Sequence, residues 1–274
     1  MNLNEIKKRL EALNSKSSNS DGEKKNLFFK PSIGKQTIRV LPSKYNPDIP
    51  FSELMIYYGI GEKTIVSPAN WGEKDPIMEF AKQLRQSGDK ENWKLAKKLD
   101  PKVRVFAPII VRGEEEEGVK LWQFGKEVYQ DFLNMAADEE IGDYTDVYEG
   151  RDIKLTTVGP DVTGTKYNKT TVSPSLKSSS VSNDKNEVKK FLEEQPEPLK
   201  VFKHYTFEEV KQALQEWLTV DDENEEEVAE AAVPFEGGKK TSAPVEKKNY
   251  SLNTSFTKKS NSDKFDDLFG DDEN

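Results

Sequence analysis

No cysteine occurs among the 274 residues, and histidine occurs once, at His204. Disulfides and thiolate metal sites are excluded, and a single imidazole has no second histidine or cysteine to complete a zinc set. No Ser–His or Cys–His catalytic pair exists away from His204. No apolar run approaches the roughly 20 residues of a membrane span. The opening stretch, MNLNEIKKRLEALNSKSS, carries charge where a signal peptide has its apolar segment, so a soluble cytoplasmic protein is expected. Apolar content is also low, 34% against 33% charged residues. That balance predicts one packed core with polar extensions.

Other chemical signatures are incomplete. Gly59-Ile60-Gly61 lacks a third glycine in register and a following Lys-Ser/Thr. It reads as a hairpin turn and not as a phosphate loop. Glu114 to Glu117 are four successive acids that point in different directions, which suits a solvated loop better than a magnesium site. Without a convergent catalytic set, neither an enzyme nor a bound cofactor or metal is expected.

What the chain does have is charge, unevenly distributed. The net charge is -9, yet residues 1 to 112 sum to +8, residues 113 to 150 to -10, residues 151 to 200 to +2 and residues 201 to 274 to -9. Such asymmetry predicts a basic binding region followed by an acidic tail.

Hydrophobic spacing predicts the elements. Leu3, Ile6, Leu10 and Leu13 form one stripe of a helix over 3–14, with Lys7, Lys8 and Arg9 beside or opposite it. Residues 15–26 read as a polar linker. Strands are expected in 35–44, 51–60, 64–66, 103–111 and 151–159, with another starting at Lys120 and giving way to helix after Gly125. Helices are expected over 76–86, opened by Pro76, and over 91–99, 186–195 and 206–218. Thr206 and Glu209 make a capping box for the last of these. Residues 160–170 read as turns and 175–184 as a linker. Residues 221–227 are an acidic run, and the chain from there to residue 264 is polar enough to be disordered. Many short strands with breaker residues between them predict a mainly β fold: a five-stranded Greek-key barrel (OB-fold) with added helices and a small helical lobe. Three parts are expected: a basic helix over 1–20, a core over 21–220, and a disordered acidic tail over 221–274.

A site for single strands needs cations for the backbone and aromatic faces for the bases. Residues 82 to 112 offer Lys82, Arg85, Lys90, Lys94, Lys97, Lys98, Lys102, Arg104 and Arg112, offset only by Asp89, Glu91 and Asp100. Trp93 and Phe106 fall inside that stretch. Trp122 follows, and Tyr167 lies between Lys166 and Lys169. Strand alternation puts Arg104 and Phe106 on one face. For Phe106 and Trp122 the sequence leaves core and groove equally open. Tyr129 and Phe132 follow Gly125 at helical spacing and read as core.

These segments together resemble the helix-destabilising single-stranded DNA-binding proteins of T-even-type tailed phages. The resemblance covers nearly the whole chain. It is carried by IRVLPSK (38–44), APIIV (107–111), FGKEVY (124–129), YEGRDIKL (148–155), KYNKT (166–170) and FKHYTFEEV (202–210). The chain looks like a divergent member, of cyanophage type, lacking the zinc ligands.

The resemblance implies cooperative binding through the basic N-terminal segment, here Leu3, Ile6, Lys7, Lys8, Arg9 and Leu10. The family's Ser/Thr after the basic cluster is absent, since Leu10 follows Arg9. It implies a groove whose family tyrosines fall on Trp122 and Tyr167 and whose tryptophan falls on Phe106, with Val105 replacing a tyrosine. The family's structural zinc would fall near Tyr58, Ser67, Asp75 and Met78. None of Tyr58, Ser67 and Met78 suits such a site. The lobe over 58–90 is therefore expected to be held by apolar packing of Tyr58, Trp71, Ile77, Met78 and Phe80.

The resemblance further implies an acidic tail that docks the phage polymerase, helicase loader and recombination mediator. Phe265, Asp266, Asp267, Leu268, Phe269, Asp271 and Asp272 are the expected docking residues. The expected setting is the cytoplasm of the infected bacterial host, with no membrane partner. The leading expectation is a cooperative, sequence-non-specific coat for single-stranded DNA in replication, recombination and repair. The alternatives are a protein-interaction scaffold and an RNA-binding regulator on the same barrel.

Overall fold

The computed structural model describes residues 27–60, 64–230 and 260–270. The expected helix over 3–14 and its self-association residues lie outside them, as do Gly61 and the acids Asp271 and Asp272. The strands are β1 Phe28–Phe29, β2 Gly34–Val40, β3 Ser52–Tyr57, β4 Ile65–Val66, β5 Lys102–Val111, β6 Lys120–Phe124, β7 Arg151–Val158 and β8 Lys169–Ser178. The longer helices are α1 Pro76–Gln86, α2 Lys90–Lys98, α3 Lys126–Ala136, α4 Lys185–Glu193, α5 Phe207–Glu230 and α6 Asn261–Phe269.

The eight-stranded sheet follows the path β1-β6-β5-β2-β7-β8, with β3 pairing β5 off that path. It is a mixed α/β fold with an open sheet, which corrects the expected five-stranded Greek-key barrel (OB-fold). Closure would need a ladder between the two ends of the path. At one end, β1 is two residues long and pairs with β6 in parallel. At the other, β8 pairs with β7 alone among the described residues and carries Pro174, which has no N–H to give to a further strand.

The described residues form two compact units. The first comprises 27–56, 69–72 and 101–204. Its spine is β5, whose run VFAPIIV over 105–111 is buried throughout, as a central strand covered on both faces must be. One face packs Ile38, Ala107, Ile109, Trp122 and Ile153 with Phe132 and Met135 of α3. The other packs Ile110 with Leu41, Val181 and with Val188 and Phe191 of α4.

An ion cluster around the buried Arg39 lies at the start of β7. Arg39 is fully buried, and Arg112 closes on Asp152 Oδ1 with Nε at 3.0 Å and Nη2 at 2.8 Å. Arg39 Nη1 lies 3.5 Å from the same oxygen. Burial pulls the Arg39 guanidinium below its ordinary pKa, while Asp152 pushes it back up.

The second unit comprises 57–60, 64–68, 73–100, 205–230 and 260–270. Its core follows helical spacing: Ile77, Phe80 and Leu84 of α1, Leu95 of α2, and Val210, Leu214 and Leu218 of α5. The expected capping box opens α5, with Thr206 N donating to Glu209 Oε2 at 2.9 Å and Glu209 N to Thr206 Oγ1 at 3.2 Å. Among the described residues no helix is long and apolar enough to cross a membrane.

Candidate nucleic-acid interface

In the first unit, the outer face of β2, β7 and β8 is polar and basic. Pairing places Lys35 opposite Thr156 and Thr37 opposite Lys154. Across the next ladder Lys154 faces Ser173, Thr156 faces Thr171, and Lys169 faces Val158. Residues directly opposite share a face, so Lys35, Lys154 and Lys169 stand among hydroxyls on one surface. The reverse face carries Ile38, Ile153 and Leu155 into the core. Just before β8, Tyr167 is 71% exposed, with Lys166 Nζ 5.9 Å from its ring centroid. Lys169 Nζ lies 3.9 Å from Glu127 Oε2.

In the second unit, Asp89 caps α2 by accepting from Glu91 N and Asn92 N. This helix presents Trp93, 52% exposed, with Lys97 Nζ 5.5 Å from its ring centroid. Lys90, Lys94 and Lys98 of the same helix and Lys82 of α1 are exposed. Lys94 also pairs with Glu91 at 3.1 Å. A cation beside an exposed ring can hold a phosphate while the ring stacks on a base.

Several expected interface residues serve the fold. Phe106 is 0% and Trp122 2% exposed, so neither presents a ring face to a base. Trp122 instead meets Phe29, Phe124 and Phe132 at centroid distances of 6.0, 4.8 and 5.9 Å. Arg112 spends its donors on Asp152 and on the carbonyls of Ser180 and Val181. Arg85 is ion-paired with Asp100 and donates to Ala96 O at 3.3 Å. Lys102 is exposed at the start of β5, and Arg104, half-buried in the same strand, approaches the backbone of Gly125.

The candidate interface also holds residues that the sequence did not single out. Lys35 and Lys154 come from strands expected for their apolar positions alone. Alternation along β7 was the available signal, because Ile153 and Leu155 going inward send Lys154 and Thr156 outward.

The places corresponding to the family's zinc ligands do not fit a metal. Tyr58 is 45% and Met78 40% exposed. Asp75 is fully engaged: its Oδ2 accepts from Tyr57 Oη at 2.9 Å and from Ser67 Oγ, and its Oδ1 caps α1 by accepting from Ile77 N and Met78 N. Burial, and then the Asp75 carboxylate, push the Tyr57 phenol well above its ordinary pKa, keeping it a proton donor. Ile77 and Phe80 supply the expected packing, but Tyr58 and Met78 do not. Among the described residues no group of three His, Cys, Asp or Glu could hold a metal ion. His204 stacks on Trp71 at 4.3 Å. Glu114 and Glu117 are ion-paired with Lys120.

Asp75→Ala removes a helix cap and leaves two buried hydroxyls without their acceptor. The expected loss of stability is about 2–3 kcal/mol. Urea unfolding measures it, and a loss below about 0.5 kcal/mol would mean that these hydrogen bonds do not hold the unit.

The expected docking residues Phe265 and Phe269 lie in α6 and are buried, at 2% and 7% exposure. Asp266 and Asp267 are exposed and Leu268 is half-buried. The tail expected to be disordered over 221–274 thus contains the last residues of α5 and all of α6.

Comparison with curated proteins gives no match. A protein-family model, described as gp32 DNA binding protein like, matches residues 33–220, well over half of the chain. That span includes both basic surfaces and the Asp75 network, and it carries the resemblance found in the sequence. The chain belongs to the gp32-like DNA-binding protein family.

Proposed function

We propose that the protein binds single-stranded DNA cooperatively and without sequence preference, coating it during phage replication, recombination and repair. The observation that carries this reading is that Trp93 and Tyr167 are both exposed rings with a lysine beside them, in a chain of a DNA-binding family. Stacking on either ring requires an unpaired base, since paired bases hide their faces. Lysines and hydroxyls on the β2-β7-β8 face suit phosphate oxygens and carry no pattern for reading base edges. The apolar stripe of Leu3, Ile6 and Leu10 beside Lys7, Lys8 and Arg9 supports self-association along the strand. The acids and apolar side chains near the end of the chain support docking of the phage polymerase, helicase loader and recombination mediator.

Trp93→Ala and Tyr167→Ala are each expected to weaken oligo(dT) binding by about 1–3 kcal/mol. Both should leave the melt of the free protein unchanged, because neither ring is in a core. Replacing Lys35, Lys154 and Lys169 together by glutamine should flatten the slope of log affinity against log salt by roughly 2, at about 0.7 per phosphate contact. Fluorescence titration across a salt series measures both effects. An unchanged slope in the triple variant would remove the sheet face from the interface.

A further inference from the structure

The nine residues of α6 are too few to hold a helix alone in water. They are helical in contact with a groove of the second unit. Ser260 and Asp263 form a capping box that starts the helix. Its apolar side chains follow the spacing Phe265, Leu268, Phe269, which makes one stripe. Phe265 meets Phe80 of α1 edge-on at 5.9 Å, and Phe269 meets Phe207 of α5 at 6.1 Å. Two lysines fix the ends. Lys264 Nζ donates to Asn92 Oδ1 at 2.8 Å. Lys211 Nζ donates to the Phe269 carbonyl at 3.3 Å, where a cation suits the negative end of the helix. Asp263, Asp266 and Asp267 face solvent.

We propose that this groove is a receptor for amphipathic helices with the Phe-x-x-Leu-Phe spacing, and that the free protein keeps it filled with its own residues 260–270. The seated helix hides Phe265 and Phe269, so the side chains offered above as docking bait are reachable only after the helix leaves. Leaving is local, because residues 231–259 connect α6 to α5 and keep it within reach of the groove. Tethering gives the chain's own helix an advantage in effective concentration over any helix arriving from solution. The groove is thus a competitive site: an incoming helix of this pattern exchanges with the chain's own. The groove and its occupant do not rest on the proposed nucleic-acid binding, while the masking of docking side chains rests on the tail-docking part of the proposed function.

The probe is a fluorescein-labelled synthetic peptide of residues 258–274, titrated by anisotropy without DNA. The titrants are the full-length protein and full-length Phe265→Ser/Phe269→Ser, whose own helix no longer fits. The peptide is expected to bind the double variant at least roughly tenfold more tightly than wild type. The same peptide carrying both serines should not bind either protein. In the double-variant background, Lys211→Glu should weaken the peptide several-fold without changing the melt. Thermal melting establishes that each variant is folded. Should the double variant fail to fold, hydrogen exchange on the wild type decides, with protection of amides 264–269 lost on adding excess unlabelled peptide only if the groove exchanges occupants. Equal affinity for both proteins would overturn occupancy by the chain's own helix. No binding to the folded double variant would overturn the receptor groove. Neither result bears on the DNA reading, since no nucleic acid is present.

Discussion

Asp152→Ala is expected to destabilise the protein by about 3–5 kcal/mol. Its Oδ1 faces two guanidiniums, Arg39 at 3.5 Å and Arg112 at 2.8 Å. Arg39 cannot turn to water, because it is fully buried and one of its nitrogens already serves the Ser179 carbonyl. Without the carboxylate, a buried cation loses its ion-pair partner and stands beside a second cation. That situation costs more than the pair contributed while intact, because desolvation of Arg39 is no longer offset. Urea denaturation at neutral pH gives the change. Adding Arg39→Met to the variant should recover part of the loss, since the buried charge goes with it. A loss under about 1 kcal/mol would mean that the carbonyls of residues 179–181 suffice for both guanidiniums.

Trp122→Ala should cost a similar amount, about 3–5 kcal/mol, and for a different reason. The indole is 2% exposed and touches three phenylalanine rings, so its removal leaves a cavity that the surrounding sheet and α3 cannot collapse to fill. The folded fraction of this variant should bind oligo(dT) within about twofold of wild type. Trp93→Ala should behave in the opposite way, losing affinity and keeping stability. Measuring melt and affinity on both variants separates a core ring from a stacking ring. Lost affinity at unchanged stability in Trp122→Ala would return that residue to the interface.

Local chemistry was legible wherever it acts within a few residues. Pro76 signals the start of α1, and the Thr206/Glu209 pair signals that of α5, because a cap depends only on neighbours in sequence. Strands β5 and β7 follow from their apolar and alternating runs. Strand β8 was missed because KTTVSPSLKS has almost no large apolar side chain and contains a proline. It is a strand because it lies at the edge of the sheet, where Val172 faces inward beside Leu155 while Thr171 and Ser173 face out. The open sheet was missed for a related reason. Alternation tells which face of a strand is buried and says nothing about which strands meet at the ends.

The candidate interface was legible in residue type more than in place. Lysines and rings clustered in 82–112 did mark α2, with Trp93 beside Lys97. The same cluster drew in Arg85 and Arg112, whose partners Asp100 and Asp152 are fixed by tertiary structure. Phe106 was undecidable because β5 is buried on both faces at its position, so alternation carries no direction there, whereas Trp122 shares the buried face of Phe124, away from the exposed Gln123. The apolar residues of the acidic tail pointed to docking from a disordered segment, and not to the helix α6 that they form. That a groove in this same chain fits them depends on Phe80 and Phe207, remote in sequence from Phe265 and Phe269.

Titration of fluorescent oligo(dT) and of a matched duplex, at one salt concentration near 0.1 M, bears most directly on single-strand binding. Single strands should bind at least roughly tenfold more tightly, because stacking on Trp93 and Tyr167 is available only to unpaired bases. Equal affinity for oligo(dT) and duplex would contradict it.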